Sequence, residues 1–158
     1  LRGNVPTRVQ KLRDGKYDAI LLAAAGVTRL QLDLSDLHVI ELDPEQFLPA
    51  PAQGILGIQI RDNDPTVEKV ISKLGSSAAM LEANLERGLL ARFDSGCSLP
   101  LGVFSVVRDN QLRLKAVLGT RNNDQWTGLN RTDITGTDVD DVIGRAYDAL
   151  QGAPTCRA

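Results

Sequence analysis

The stretch Leu99-Pro-Leu-Gly-Val-Phe-Ser-Val-Val107, Arg108-Asp-Asn-Gln111, Leu112-Arg-Leu-Lys-Ala-Val-Leu118 decides the fold of the larger part of this chain. In its last segment Leu112, Leu114, Ala116 and Leu118 alternate with Arg113, Lys115 and Val117. A period of two puts the first set on one face of a strand and the second on the other, one face buried and one mostly wet. The polar quartet Arg108–Gln111 reads as the turn that joins this strand to Leu99–Val107, and Trp126–Asn130 offers a third, short strand. Helices on either side in sequence can cover the apolar face. Upstream, Ser77 is a candidate cap for a helix in which Leu81, Leu85, Leu89 and Phe93 recur every four residues. Gly88 inside it costs about 1 kcal/mol relative to Ala, which points to close packing or a local bend. Downstream, Thr137 or Asp138 caps a helix with acids in its first turn that buries Val142, Ile143, Ala146 and Leu150. An earlier helix opens at Asp64-Pro65, carries Val67, Val70, Ile71 and Leu74 as its stripe, and stops at Gly75. Residues 62–158 therefore read as an α+β domain, a three-stranded antiparallel sheet with helices on one face.

Residues 1–46 have a different, α/β rhythm. Asn4 caps a short helix with Pro6 in its first turn, Val9 and Leu12 on one face and Gly15 as the stop. Asp18-Ala-Ile-Leu-Leu-Ala-Ala-Ala25 is an apolar run ending at Gly26, which predicts a strand buried on both faces as in a parallel sheet. A short helical stretch through Val27, Leu30 and Leu32 leads to a second strand candidate, Leu37–Leu42. This pattern is half of a doubly wound layer of the periplasmic-binding-protein kind. Between the two parts, Leu48-Pro-Ala-Pro-Ala-Gln-Gly54 and the strand-like Ile55–Arg61 read as a connection over residues 47–61 that also contributes a strand, since two prolines forbid a helix.

The composition narrows the classes. The 158 residues include 18 Lys and Arg against 20 Asp and Glu, a formal net charge of −2, with 42% hydrophobic residues. That is a globular composition without the basic field a phosphate backbone calls for, and no apolar run reaches the roughly 20 residues of a membrane helix. Neither nucleic acid nor membrane is an expected partner. One His and two Cys cannot supply the four N/S ligands of a structural zinc site, and no metal is expected. Cys97 and Cys156 are too far apart in sequence for a disulfide framework, which favours a reducing, cytoplasmic setting. The start Leu1-Arg2-Gly3-Asn4, without Met, reads as a cut inside a longer protein.

Cys97 lies in Asp94-Ser-Gly-Cys-Ser-Leu-Pro-Leu-Gly102, a loop shaped by Gly96, Pro100 and Gly102. A thiol displayed there becomes a nucleophile where cations favour the thiolate, and is otherwise a small buried hydrophobe. His38, the sole histidine, sits in a strand pattern and reads as structural; Cys156 reads as incidental. Arg2 and Arg8 bracket the first turn of a helix, where guanidinium groups can hold carboxylates bidentately or simply face solvent. Arg29 follows a strand end, the place where open α/β sheets bind ligands.

Four stretches occur in order along the chain: Leu1-Arg-Gly-Asn-Val-Pro-Thr-Arg8, Lys16-Tyr-Asp-Ala-Ile-Leu-Leu-Ala-Ala-Ala-Gly26, Leu48-Pro-Ala-Pro-Ala-Gln-Gly54 and Gly96-Cys-Ser-Leu-Pro-Leu-Gly102. Together they resemble the porphobilinogen deaminase (hydroxymethylbilane synthase) family from residue 1 to about 150. The resemblance implies a three-domain transferase of tetrapyrrole and haem biosynthesis, about twice this length. It joins four porphobilinogen molecules head to tail with release of ammonia, and then frees the linear tetrapyrrole by hydrolysis. It also implies a dipyrromethane cofactor held by a thioether to one Cys, the position that Cys97 matches. Arg2 and Arg8 match arginines that bind acetate and propionate groups of cofactor and substrate, and Arg29 one implicated in elongation. Leu22, Ala23 and Gly26 match the strand end bordering the cleft, and Gln53 and Gly54 the hinge beside it.

Departures from the family pattern are Pro51-Ala52 where many members have Val-Gly, Ser95 for a common Gly, and Ser98 for Gln. On this reading the chain holds the carboxy-terminal half of the second domain (1–46), the hinge and returning strand (47–61) and the third domain (62–158). The family's catalytic aspartate belongs to an absent amino-terminal half, so the isolated chain is expected to be inactive. Its expected partners are porphobilinogen, the growing polypyrrole and that missing half, in a monomeric parent; block 1–61 alone is expected to be poorly protected or to pair with a second copy. An anion-binding α/β module, or an interaction domain without catalysis, are the alternatives.

Overall fold

A computed structural model describes residues 1–93, 99–122 and 125–152, with the backbone only at Asn122. The chain divides into two compact units, Leu1–Leu42 and Asp43–Ala158.

The second unit is built on the hairpin. Strand β1 (Leu101–Arg108) pairs antiparallel with β2 (Gln111–Asn122), and Arg108 faces Gln111 across the turn. Asp109 and Asn110 have φ of 49° and 61°, the double left-handed geometry of a type I′ turn, which Asp and Asn tolerate better than most residues. Strand β3 (Gln125–Gly136) pairs with β2 and completes the order β1-β2-β3. It runs well past the expected Asn130. Thr132 and Ile134 are half-buried on its inner face while Arg131, Asp133 and Thr135 are exposed, so the alternation continues in polar letters that hide a strand.

One face of the sheet is covered by helices α4 (Ser77–Arg92) and α5 (Val139–Gln151). Leu85 and Leu89 of α4, Val103 and Leu114 of the sheet, and Val142, Ala146 and Leu150 of α5 are all at most 0% exposed. Ser76, one residue before the expected cap, closes the α4 N-terminus by accepting from the Ala79 amide; Asp138 does so for α5 by accepting from Asp141 at 2.8 Å. A Cβ on Gly88 would lie 2.5 Å from Ile143 Cδ1, so the glycine marks close approach of the two helices. At the far end of α5, Asn130 Nδ2 donates to the carbonyls of Leu150 and Gly152 at 2.7 and 3.0 Å and caps the helix.

Helix α3 (Pro65–Ile71) is capped by Asp64 and continues as a 3₁₀ turn, Ser72–Leu74, to Gly75. Its expected stripe is formed but uncovered among the described residues: Val70 and Leu74 are 60% and 69% exposed.

In the first unit, α1 (Val5–Arg13) has Asn4 as its cap, with Oδ1 accepting from the Thr7 amide at 3.0 Å. Helix α2 (Ala24–Arg29) follows, and absorbs the last two residues of the run expected as a strand. The three runs expected as strands, 18–25, 37–42 and 55–61, form none; this corrects the expectation of a strand-bearing α/β layer in this part. The reason is hydrogen bonding: a strand exists only as a member of a ladder, and among the described residues the ladders are those of β1, β2 and β3. Leu21, Val39, Ile40, Leu56 and Ile58 are accordingly between 55% and 79% exposed. Among the described residues no helix is long and apolar enough to cross a membrane.

Candidate functional site

The candidate residues fall in both units. In the first, Asn4 fixes the start of α1, and Gly3 adopts φ of 115° so that its carbonyl accepts from Arg8 Nε at 2.8 Å. Arg2 is exposed, and its carbonyl accepts from Lys11 Nζ at 2.9 Å. A Cβ on Gly26 would stand 3.4 Å from Val5 Cγ2, so α2 begins against the first turn of α1. Ala23 is the N-cap position of α2, Leu22 is half-buried just before it, and Arg29 closes the helix, exposed. His38 is exposed outside any strand.

The cations of this unit differ in a way that bears on function. Arg13 is committed: its guanidinium makes two bonds to Asp36, at 2.8 and 2.7 Å, and one to the Asp33 carbonyl. That pairing holds the Asp36 carboxyl below its ordinary pKa and raises that of Arg13. Arg2, Arg8 and Arg29 have no carboxylate partner among the described residues. Planar guanidinium forks of this kind can receive carboxylates in two-point fashion.

In the second unit, Leu48–Ala52 forms a strap along the edge of β1. Val103 N donates to the Pro49 carbonyl at 2.8 Å. A Cβ on Gly102 would lie 2.9 Å from the Leu48 carbonyl, so only glycine admits the strap there. The strap ends in a tight turn, with Gln53 N donating to the Ala50 carbonyl and Ile55 N to that of Ala52, and it leaves Gln53 and Gly54 exposed. Two further outward amides of β1 go to α4, Ser105 N donating to Glu86 Oε1 at 2.9 Å and Val107 N to Glu82 Oε1 at 3.2 Å, while Leu101 N donates to the Leu99 carbonyl. The edge is thus closed against further strand pairing. Sequence reasoning missed these two glutamates; the available signal was a pair of acids one helical turn apart beside the apolar stripe of α4.

On the outer face of the sheet, Glu45 accepts from Lys115 Nζ at 2.8 Å and Asp133 accepts twice from Arg113, at 2.9 and 2.8 Å. Both carboxyls are held below their ordinary pKa, by Lys115 and by Arg113 respectively. Cys97, with its loop 94–98, and Cys156 lie outside the described residues.

Comparison with known proteins shows what the chain is similar to. Residues 1–69, which contain Arg2, Arg8, Leu22, Ala23, Gly26, Arg29, Gln53 and Gly54, match the family model for the porphobilinogen deaminase dipyromethane cofactor binding domain. Residues 80–141, which contain Cys97, match that for the porphobilinogen deaminase C-terminal domain. A porphobilinogen deaminase of Roseiflexus sp. (strain RS-1) is 40% identical over 131 residues, covering 83% of this chain and 43% of the relative. That of Sulfurimonas denitrificans is 38% identical over 150 residues, 94% of this chain and 47% of the relative. A probable porphobilinogen deaminase of Methanocella arvoryzae is 48% identical over 105 residues, 66% of this chain and 33% of the relative. The chain spans less than half the length of these relatives. With both domains of one family matched in order, and such identity sustained over most of its residues, the chain belongs to the porphobilinogen deaminase family.

Proposed function

We propose that this chain is the carboxy-terminal part of a cytoplasmic, metal-independent, monomeric porphobilinogen deaminase. That enzyme joins four porphobilinogen molecules into hydroxymethylbilane with release of ammonia, in haem and tetrapyrrole biosynthesis. The observation that carries the reading is the set Arg2, Arg8 and Arg29, guanidinium groups without a carboxylate partner among the described residues, in a stretch matching the family's cofactor binding domain. Each pyrrole of the substrate bears acetate and propionate groups, and planar guanidinium forks bind such carboxylates in two-point fashion. Arg2 and Arg8 hold the side chains of the dipyrromethane primer, and Arg29 meets those of the incoming unit. Leu22, Ala23 and Gly26 shape the wall beside them, and Gln53 and Gly54 form the hinge.

Cys97 supplies the anchor through a thioether sulfur; the primer, when bound, supplies the pyrrole carbon on which elongation begins. The remaining part of the longer chain supplies the catalytic aspartate, and supplies ladder partners for 18–25, 37–42 and 55–61. The apolar side chains that these runs expose support such partners. The isolated chain is therefore inactive, and turnover by it in a steady-state assay would overturn this part of the reading.

The deciding experiment is intact mass of the full-length enzyme beside its Cys97→Ala variant. A two-pyrrole increment on the wild type, absent from the variant, supports the assignment of Cys97. An unmodified wild type removes it and brings forward a non-catalytic anion-binding role.

A further inference from the structure

Glu86 is 6% exposed, and no cation pairs with it among the described residues. Burying a carboxylate without a counter-charge is costly unless donors surround it. Here three do: Ser105 N and Ser105 Oγ donate to Oε1 at 2.9 and 2.8 Å, and Ala52 N donates to Oε2 at 2.6 Å. Closing the edge of β1 needs only one oxygen per amide, as Glu82 shows with Val107. The second oxygen of Glu86 is spent on the strap.

The strap needs that bond where it falls. Ala52 has φ of 60°, a left-handed conformation unfavourable for a residue with a Cβ, and it begins the turn that presents Gln53 and Gly54. Glu86 therefore ties together three pieces far apart in sequence: the hinge turn, strand β1, and helix α4, which runs on in sequence toward Cys97.

We infer that Glu86 is a positioning residue, a two-armed carboxylate latch that sets the hinge turn at Gln53-Gly54 on the body of the carboxy-terminal domain. Its consequence for the enzyme rests on the function proposed above; the latch itself does not. A carboxylate is required because each arm is an acceptor. In Glu86→Gln one arm becomes an NH₂ group facing an N–H or hydroxyl donor, and one of the two contacts is lost.

The test is residue-resolved amide exchange by NMR on this chain, wild type beside Glu86→Gln and Glu82→Gln. In Glu86→Gln, exchange at Ala52 and Val103 should rise about tenfold, the loss of roughly one charge-assisted hydrogen bond. The Ala52 amide proton, held downfield by its carboxylate acceptor, should shift upfield, while Leu114 and Ala116 in the central strand keep their protection. Glu82→Gln, which alters the side-chain acceptor of Val107 N and leaves the Glu82 carbonyl that faces Ser105 Oγ in place, should leave Ala52 unchanged. Unaltered exchange at Ala52 in Glu86→Gln overturns the inference. So does uniform acceleration of all core amides, or equal loosening of Ala52 in Glu82→Gln, because either makes Glu86 an ordinary packing residue. Since the readout needs no pyrrole, selective loosening at Ala52 together with an unmodified Cys97 in the full-length enzyme would retain the latch and reject only the proposed function.

Discussion

The apolar runs of residues 101–118 and those of residues 18–42 and 55–61 use the same letters and meet opposite fates. Val103, Leu114 and Ala116 are at most 1% exposed, whereas Val39, Ile40 and Leu56 are 62%, 68% and 79% exposed. Hydrophobicity does not separate them; partners do. The hairpin finds its ladder across a two-residue turn, at little loop-closure cost, and its cover in α4 before it and in α5, which follows β3. The other runs have the pattern of parallel-sheet strands, which pair only through crossovers with distant segments. An apolar run states a demand for burial, and topology decides whether the chain itself can meet it.

The largest effect expected from this contrast is in the core. Leu89→Ala or Leu114→Ala should cost about 2–5 kcal/mol, while Ile40→Ala or Leu56→Ala should stay within about 0.5 kcal/mol. Urea midpoints at constant m-value measure both, and an equal loss from Ile40→Ala would break the comparison. Next in size, Gly88→Ala should destabilise by about 1–3 kcal/mol, because the new methyl meets Ile143 Cδ1. The penalty should shrink in an Ile143→Val background, which a double-mutant cycle reads directly.

A smaller effect, about 1 kcal/mol, is expected from Asp138→Ala, which removes the cap of α5. Asn4→Ala removes an equivalent cap in the first unit, and should accelerate exchange at Thr7 without moving the unfolding midpoint of the sheet domain.

The smallest concerns acid. The carboxyls of Asp133 and Glu45 have lowered folded-state pKa values, so their contribution is present above the ordinary carboxylate range and is lost as pH falls through the folded-state values. Asp133→Asn should therefore flatten the acid limb of sheet-domain stability, followed by Trp126 fluorescence against pH. An unchanged limb would show that solvent screens the pair with Arg113 completely.

Much of this was legible because it is local. Asn4, Asp64-Pro65 and Asp138 announce helix starts by bonds spanning three residues, and Asp109-Asn110 sits where a type I′ turn requires it. Leu112, Leu114 and Ala116 declare their inner face by period alone. The third strand was underestimated because Arg131, Thr132, Asp133 and Thr135 keep the alternation but carry no apolar signal. Arg2, Arg8 and Arg29 stood out in the sequence only as positions at a helix start and after an apolar run, and nothing in their spacing separates Arg8 from Arg13, which the fold pairs with Asp36.

By itself, the sequence determined the helix caps, the hairpin and its turn, the apolar stripe of each packed helix and the family motifs, all of which depend on residues a few positions apart. Tertiary structure alone decided that Arg13 is consumed by Asp36, that apolar runs without ladders stay exposed, and that Glu86 accepts from the Ala52 amide across 34 residues. Those outcomes rest on which distant donor, acceptor or surface arrives beside a group, and no local pattern encodes that arrival.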